Sequence, residues 1–210
     1  MNSNKRDFDK EAATWETPPR VKLAEDVARA IVEHVPLKAN MDILDFGCGT
    51  GLVSLALRPK VRSVTGVDSS QGMLDVLNEK ASRANVKTFH LDLDKGASLP
   101  GSYHVIVTSM AMHHIKDIKT LFNKLSEAIL PGGYLAVADL DPEGGRFHDN
   151  HDGVFHHGFD REALRQMFAE VGLEDIHEFS AAEMEKIAAD GGVRRFGIFL
   201  MTGRKRGVNK

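Results

Sequence analysis

The chemistry of this chain concentrates where an apolar strand pattern, Ile43-Leu44-Asp45-Phe46, runs into Gly47-Cys48-Gly49-Thr50-Gly51. Glycines at alternate positions let a ligand lie against bare backbone at the end of a sheet strand. Such a loop ahead of a helix ordinarily attracts phosphate, because the first helical N–H groups lack partners. Asp45 argues otherwise, since its charge repels a pyrophosphate and attracts a cation. The spacing is G-x-G-x-G, not G-x-G-x-x-G, and no Lys-Ser/Thr pair follows as a nucleoside-triphosphate loop requires. A ligand with a nucleoside end and a positively charged end fits this pattern. Two more acids close the next strand patterns. Asp68 ends Val64-Thr65-Gly66-Val67-Asp68, 17 positions after Gly51, and Asp92 ends Phe89-His90-Leu91-Asp92. An acid at the tip of a neighbouring parallel strand can accept ribose hydroxyls. Taken singly, each has a plainer reading: Asp45 as a buried acid held by loop amides, Asp68 as a helix cap before Ser69-Ser70. Asp94 can stand in for Asp92. Cys48 reads as a small residue in a tight turn, because no partner base accompanies it.

The elements that position these residues alternate. Strand patterns lie near 41–46, 62–67, 86–91, 103–109 and 133–139, and helical patterns near 51–58, 70–83, 117–129 and 160–171. Alternation of this kind predicts parallel strands, right-handed crossovers and a doubly wound α/β sheet. Before the first strand, Pro18-Pro19 punctuates a polar start that carries Phe8 and Trp15. A helix follows over about 20–34, with Val21, Leu23, Val27 and Ile31 on one face. Pro131-Gly132-Gly133 reads as a turn into the fifth strand. After Gly172 the pattern predicts a strand near 173–179, a short helix near 181–189 and a last apolar strand from Phe196 to Thr202.

Three carboxylates at successive strand ends behind a glycine loop resemble class I S-adenosylmethionine (SAM)-dependent methyltransferases, over about residues 20–203. SAM carries both an ammonium and a sulfonium. The likeness is nearest to small-molecule enzymes such as those of ubiquinone and menaquinone synthesis. Met112-His113-His114-Ile115 resembles their fourth-strand signature, and Leu130-Pro131-Gly132-Gly133-Tyr134-Leu135 their entry to strand five. Phe159-Asp160-Arg161-Glu162-Ala163-Leu164 resembles the start of their last long helix. The resemblance implies a Rossmann-like seven-stranded sheet in the order 3-2-1-4-5-7-6 with the last strand antiparallel. It implies one domain over 1–210, with an N-terminal lid and cap helix at 1–40 and the core at 41–203. It places SAM against Asp45, Gly47, Cys48, Gly49, Gly51, Asp68, Ser69, Asp92, Leu93 and Ser109. One departure stands out: many members carry an acid where this chain has His104, which puts a structural contact in doubt.

Methyl transfer from a sulfonium is an in-line displacement, so alignment and exclusion of water are the main tasks. A base is needed only when the acceptor carries a proton that is hard to lose. His113 and His114, ending strand four, are the candidate bases, with Asp139 and Asp141 at the end of strand five as alternatives. The plainer reading has the His pair shaping the pocket. The stretch 147–159 holds four histidines and two aspartates. It reads as a solvated loop, an acceptor-binding lid or a metal site, and no metal is expected because no known ligand spacing appears. Trp15 reads as a second lid over SAM or as a surface anchor.

A net charge of −3 gives no basic field for a nucleic-acid backbone, and Arg204-Lys205-Arg206 reads as a solvated end. Ser109-Met110-Ala111-Met112-His113 lacks the Asn/Asp-Pro-Pro-aromatic grip on a flipped base. The single cysteine suits a reducing compartment. The start has no apolar signal core, and no run approaches the ~18 apolar residues of a membrane helix. A cytoplasmic protein acting on a small-molecule acceptor is therefore expected, without nucleic acid or membrane, and with no reading of oligomeric state. The alternative is a SAM-binding sensor that transfers nothing. A nicotinamide-dependent oxidoreductase is disfavoured by Asp45 and the glycine spacing.

Overall fold

Alternate residues of a buried parallel strand face opposite sides, so such strands need apolar cover on both. The computed structural model describes residues 7–81, 85–93, 96–187 and 191–207. Within them one seven-stranded sheet runs in the order β3-β2-β1-β4-β5-β7-β6. The strands are β1 (Asp42–Phe46), β2 (Ser63–Asp68), β3 (Val86–His90), β4 (Tyr103–Ser109), β5 (Ile129–Leu140), β6 (Leu173–Ile187) and β7 (Val193–Lys205). β1 to β5 pair in parallel, and β7 runs antiparallel to both β5 and β6. This is the expected order.

On one face Ile43, Val105, Val107, Ala136 and Leu200 meet helices α2 (Pro18–His34) and α3 (Leu52–Leu57) through Val27, Ile31 and Leu57. On the other, Leu44, Ile106, Val137 and Phe199 meet α5 (Ile118–Ala128) and α6 (Arg161–Glu170) through Phe122 and Phe168. Helix α4 (Gln71–Lys80) packs Leu74 and Leu77 against Cys48. A short helix, α1 (Phe8–Glu11), and a following 3-10 turn precede α2.

Several expectations are corrected. The helix expected near 181–189 is strand: β6 continues to Ile187, and 188–190 lie outside the described residues. Glu183 and Glu185 favour helix locally, but both side chains meet Arg195 of β7, at 3.7 and 2.9 Å. Met184 packs on the core between them, so period-2 pairing overrides propensity. Pro18 and Pro19 open α2 instead of ending the segment before it, since the first helical N–H groups need no intrahelical partner. β5 starts at Ile129, with Pro131-Gly132-Gly133 as an irregularity within it. The basic end is not simply solvated: Lys205 Nζ donates to the carbonyls of Ser126 and Ile129, at 2.7 and 2.9 Å. His104 makes a contact of its own, its Nδ1 accepting from Asp42 N at 3.1 Å.

Gly133 generates a stability prediction. A Cβ there would lie 2.6 Å from the His104 carbonyl oxygen and 2.9 Å from the Leu130 carbonyl oxygen. Gly133→Ala should destabilise the fold by about 1–3 kcal/mol. Urea unfolding should show a lower midpoint with an unchanged slope.

Candidate active site

The parallel register brings the strand ends to one edge, Phe46 pairing with Val67 on one side and Thr108 on the other. Beyond Phe46 the chain turns through Gly47, Gly49 and Gly51, all at positive φ. Space as well as torsion demands the first, because a Cβ at Gly47 would sit 2.3 Å from the Ala111 Cβ. Gly47 N and Cys48 N both donate to Val67 O, at 2.8 and 3.1 Å, which fastens the loop to β2.

Two adjoining cavities open around this loop. The smaller, about 110 Å³, is lined by Asp68, Ser69, Asp92 and Leu93, with Met73 and Ile115. The larger, about 400 Å³, is lined by Asp45, Cys48, Ser109, His113, Phe147, His148 and Lys186. Gly47, Gly49, Trp15, Met110 and His114 border both. The sequence-predicted cofactor positions and both candidate histidines therefore gather at one cleft, all but Gly51, whereas Asp139 and Asp141 line neither cavity. Gly51 borders neither cavity: it precedes α3, and a Cβ there would lie 2.2 Å from Leu77 Cδ1. Asp94 lies outside the described residues.

Burial raises the carboxyls of both Asp45 and Asp68 above the ordinary carboxylate value. Asp45 is buried, and Ser54 Oγ donates to it at 2.5 Å. Burial, assisted by the charge of Asp68, pushes its carboxyl from the ordinary 3.8 up to about 7. Asp68 accepts from Gly49 N at 2.8 Å and Ser70 N at 2.9 Å, tying β2 to the glycine loop. Burial and the nearby acids raise the Cys48 thiol well above its ordinary value, which disfavours the nucleophilic thiolate.

At the end of β4 the backbone turns at Met110, a non-glycine residue at φ 54°, into a 3-10 turn over Met112–His114. Asp139, fully buried in β5, receives this turn. Its carboxylate accepts from His113 Nδ1 at 2.7 Å, Met112 N at 3.1 Å and Leu140 N at 2.8 Å. Asp141, the other acid weighed at the end of β5, is engaged elsewhere, by a two-bond pair with Arg161 at 2.7 and 2.9 Å.

The N-terminal segment borders the cleft, with Phe8 and Trp15 on the smaller cavity and Trp15 and Arg20 on the larger. Asp9 accepts from Ser70 Oγ at 2.5 Å and Gly72 N at 2.9 Å, so a residue of α1 meets the start of α4. Phe8 meets Trp15 edge-on at 5.8 Å and His114 at 5.1 Å. The Arg20 guanidinium lies 3.9 Å over the Trp15 ring. Asp9, Phe8 and Arg20 escaped the sequence reading because the start of the chain carries no motif. An acid beside aromatic residues was the only signal there.

A family model described as a methyltransferase domain matches residues 20–178. The chain belongs to the methyltransferase family. It is 37% identical over 182 residues to an uncharacterised methyltransferase of Schizosaccharomyces pombe, covering 78% of this chain and 64% of that one. A demethylmenaquinone methyltransferase of Staphylococcus aureus is 30% identical over 115 residues, covering 53% of this chain and 48% of its own. The fold is similar to that of Haemonchus contortus phosphoethanolamine N-methyltransferase 2 in complex with SAM, with a TM-score of 0.69. Sequence identity there is 17%, covering 97% of this chain and 61% of that one. The chain spans about half to two-thirds of the length of the curated relatives it matches first. As a class I methyltransferase it takes SAM as its cofactor.

Three expectations concern SAM binding. Because the Asp45 carboxyl lies above its ordinary value, its burial favours the cofactor-free fold fully below about pH 4 and progressively less as the pH rises through about 7. A cationic ligand requires the opposite, ionised form. SAM affinity measured by calorimetry should therefore rise about tenfold between pH 5.5 and 7.5, and Asp45→Asn should flatten the rise. Asp68→Ala should weaken binding by about 1–3 kcal/mol through lost charged hydrogen bonds, and an unchanged affinity would remove the ribose contact. Gly49→Val should abolish binding, because a Cβ there points into the gap below Trp15, 4.0 Å from its indole nitrogen, on a backbone at φ +52°.

Proposed function

We propose that the protein transfers the methyl group of SAM to a small-molecule nucleophile held in the larger cavity. The observation that carries this reading is the buried Asp139–His113 pair, whose imidazole lines that cavity. A carboxylate accepting at Nδ1 fixes that nitrogen as the protonated one, which leaves the Nε2 lone pair to take a proton. The arrangement is that of an imidazole base oriented by an acid. Asp139 acts by positioning, since its own oxygens are committed to Met112, His113 and Leu140.

SAM divides across the two cavities. Its nucleoside end lies with Asp68, Ser69, Asp92 and Leu93, and its ammonium faces Asp45. Its sulfonium lies near Gly49 and Ser109, directed toward His113 and His114. The acceptor then occupies the side bordered by Phe147, His148, Asn150, Met184 and Lys186. A space of about 400 Å³ beside the N-terminal segment suits a molecule of metabolite size, and the relative named for demethylmenaquinone supports such an acceptor. Alignment and exclusion of water do most of the work. Proton removal at His113 is added when the nucleophile is a hydroxyl.

A radiolabelled-methyl screen over phenols, quinols, thiols and amines should find an acceptor. SAM binding with no transfer to any of them would favour a non-catalytic sensor. With a hydroxyl acceptor, His113→Ala should lower the single-turnover rate at least a hundredfold while leaving SAM affinity near wild type. Equal losses in both would reduce His113 to a pocket wall. Rates near wild type in both His113→Ala and His114→Ala would move the base elsewhere.

A further inference from the structure

Three imidazoles from two separate segments converge at the acceptor end of the cleft. His113 and His114 come from the turn after β4, and His148 from the connection between β5 and α6. Ring centroids are 4.2 Å apart for His113–His114, 4.9 Å for His113–His148 and 5.5 Å for His114–His148. One ring nitrogen of each lies within 4.8 Å of the other two. We infer that His113, His114 and His148 form a binding site for a divalent transition-metal ion of the zinc class.

The way the first two rings are held supports this. His113 presents Nδ1 to the Asp139 carboxylate, and His114 presents Nδ1 to the Gly153 carbonyl, at 2.7 Å in each case. A carbonyl or carboxylate oxygen can only accept, so in both neutral rings the hydrogen is on Nδ1 and the lone pair on Nε2. This is the arrangement in which a metal-ligating histidine is ordinarily oriented, its second nitrogen donating to a carboxylate or backbone carbonyl. His148 is held by its own segment: Glu143 Oε2 accepts from Phe147 N at 2.7 Å, and Phe147 packs edge-on against His148 at 4.9 Å. Phe155 N donates to His113 O at 2.8 Å, so the His-rich connection is fastened to the turn it faces.

The donor set selects the metal. Three imidazoles suit zinc, copper or nickel and not magnesium or calcium, which require oxygen ligands. With Zn–N bonds of about 2.0–2.1 Å, tetrahedral ligand nitrogens lie roughly 3.4 Å apart. Closing the cluster therefore asks for a shift of about 1–1.5 Å, within the reach of side-chain rotation at His148. All three histidines line the larger cavity, so a fourth ligand, such as the water kept by three-ligand sites, would come from that side.

Metal and acceptor proton compete for the same atom. An ion bound at His113 Nε2 occupies the lone pair that would take the acceptor proton. Zinc should therefore inhibit methyl transfer, and a chelator should restore it. The inhibitory half rests on His113 being the base, whereas the binding half does not.

Zinc chloride titrated by calorimetry into protein purified without a His-tag should bind at one equivalent. His148→Ala should weaken binding at least tenfold, and Asp139→Asn, which removes the carboxylate behind His113, about 10–100-fold. Thermal melts confirm that each variant is folded, and His148, on a connecting segment, is the safer of the two. His151→Ala/His157→Ala should bind as wild type. Absence of saturable binding, binding that survives His148→Ala, or binding lost only in the His151/His157 variant would overturn the site. Zinc that binds at one equivalent but leaves the methylation rate unchanged would overturn the inhibition alone. If no acceptor is ever found, the binding results decide the site by themselves.

Discussion

A carboxylate without solvent must find donors, and Asp139 finds three. Its oxygens take the backbone of Met112, the ring of His113 and the backbone of Leu140, which joins the end of β4 to the end of β5. Removing one donor would leave an uncompensated charge in the core, so the three contacts hold one another in place. His114 takes its orientation from the Gly153 carbonyl, while the turn over Met112–His114 and the orientation of His113 follow from this anchor. The connection after β5 depends on it too, because Phe155 N and His156 N both donate to the carbonyl of His113, at 2.8 and 3.3 Å.

Asp45 carries the opposite arrangement. Burial, with Asp68 as a like-charged neighbour, outweighs the hydrogen bond from Ser54 Oγ and holds it in a form that resists ionisation. The fold thus retains a group that a cation would relieve. A ligand ammonium beside Asp45 gains in proportion to the desolvation already imposed, and an anionic group placed there would add to it. The same glycine turn that elsewhere cradles phosphate here favours positive charge. The selecting feature is a single acid, two positions upstream of the first glycine.

Much of this was legible in sequence because it is local. Asp45, Gly47 and Gly49 lie within five residues, and strand–helix alternation fixed where Asp68 and Asp92 would fall relative to them. The placement of β7 between β5 and β6 came from the family resemblance, since no spacing in the chain dictates it. What local reasoning missed depends on long-range pairing. Residues 181–187 contain good helix formers, yet the ladder with Arg194 and Arg195 makes them strand. Gly51 has the same appearance as Gly47 and Gly49 in sequence, but its missing Cβ makes room for Leu77 and not for a ligand. His148 had no assigned neighbour, because 35 positions separate it from His113 and only the crossover between β4 and β5 brings them together.

The division of the cleft also separates what the fold supplies from what this chain adds. The side proposed for the cofactor is built from strand ends whose positions the sheet register dictates: Asp45, Asp68 and the loop that joins them. The side proposed for the acceptor draws on the N-terminal segment and the connection 141–159, which the strand register leaves unconstrained, and on the far end of β6, which pairs with β7 and contributes Met184 and Lys186. Substitutions there do not disturb strand pairing in β1, β2 or β4, so acceptor preference can change while the SAM side stays intact. His113 and His114 are where the two halves meet, tied to the sheet through Asp139 and to the variable connection through Gly153. A change in the connection therefore reaches His114 through the Gly153 carbonyl and His113 through its own carbonyl, which Phe155 N and His156 N hold.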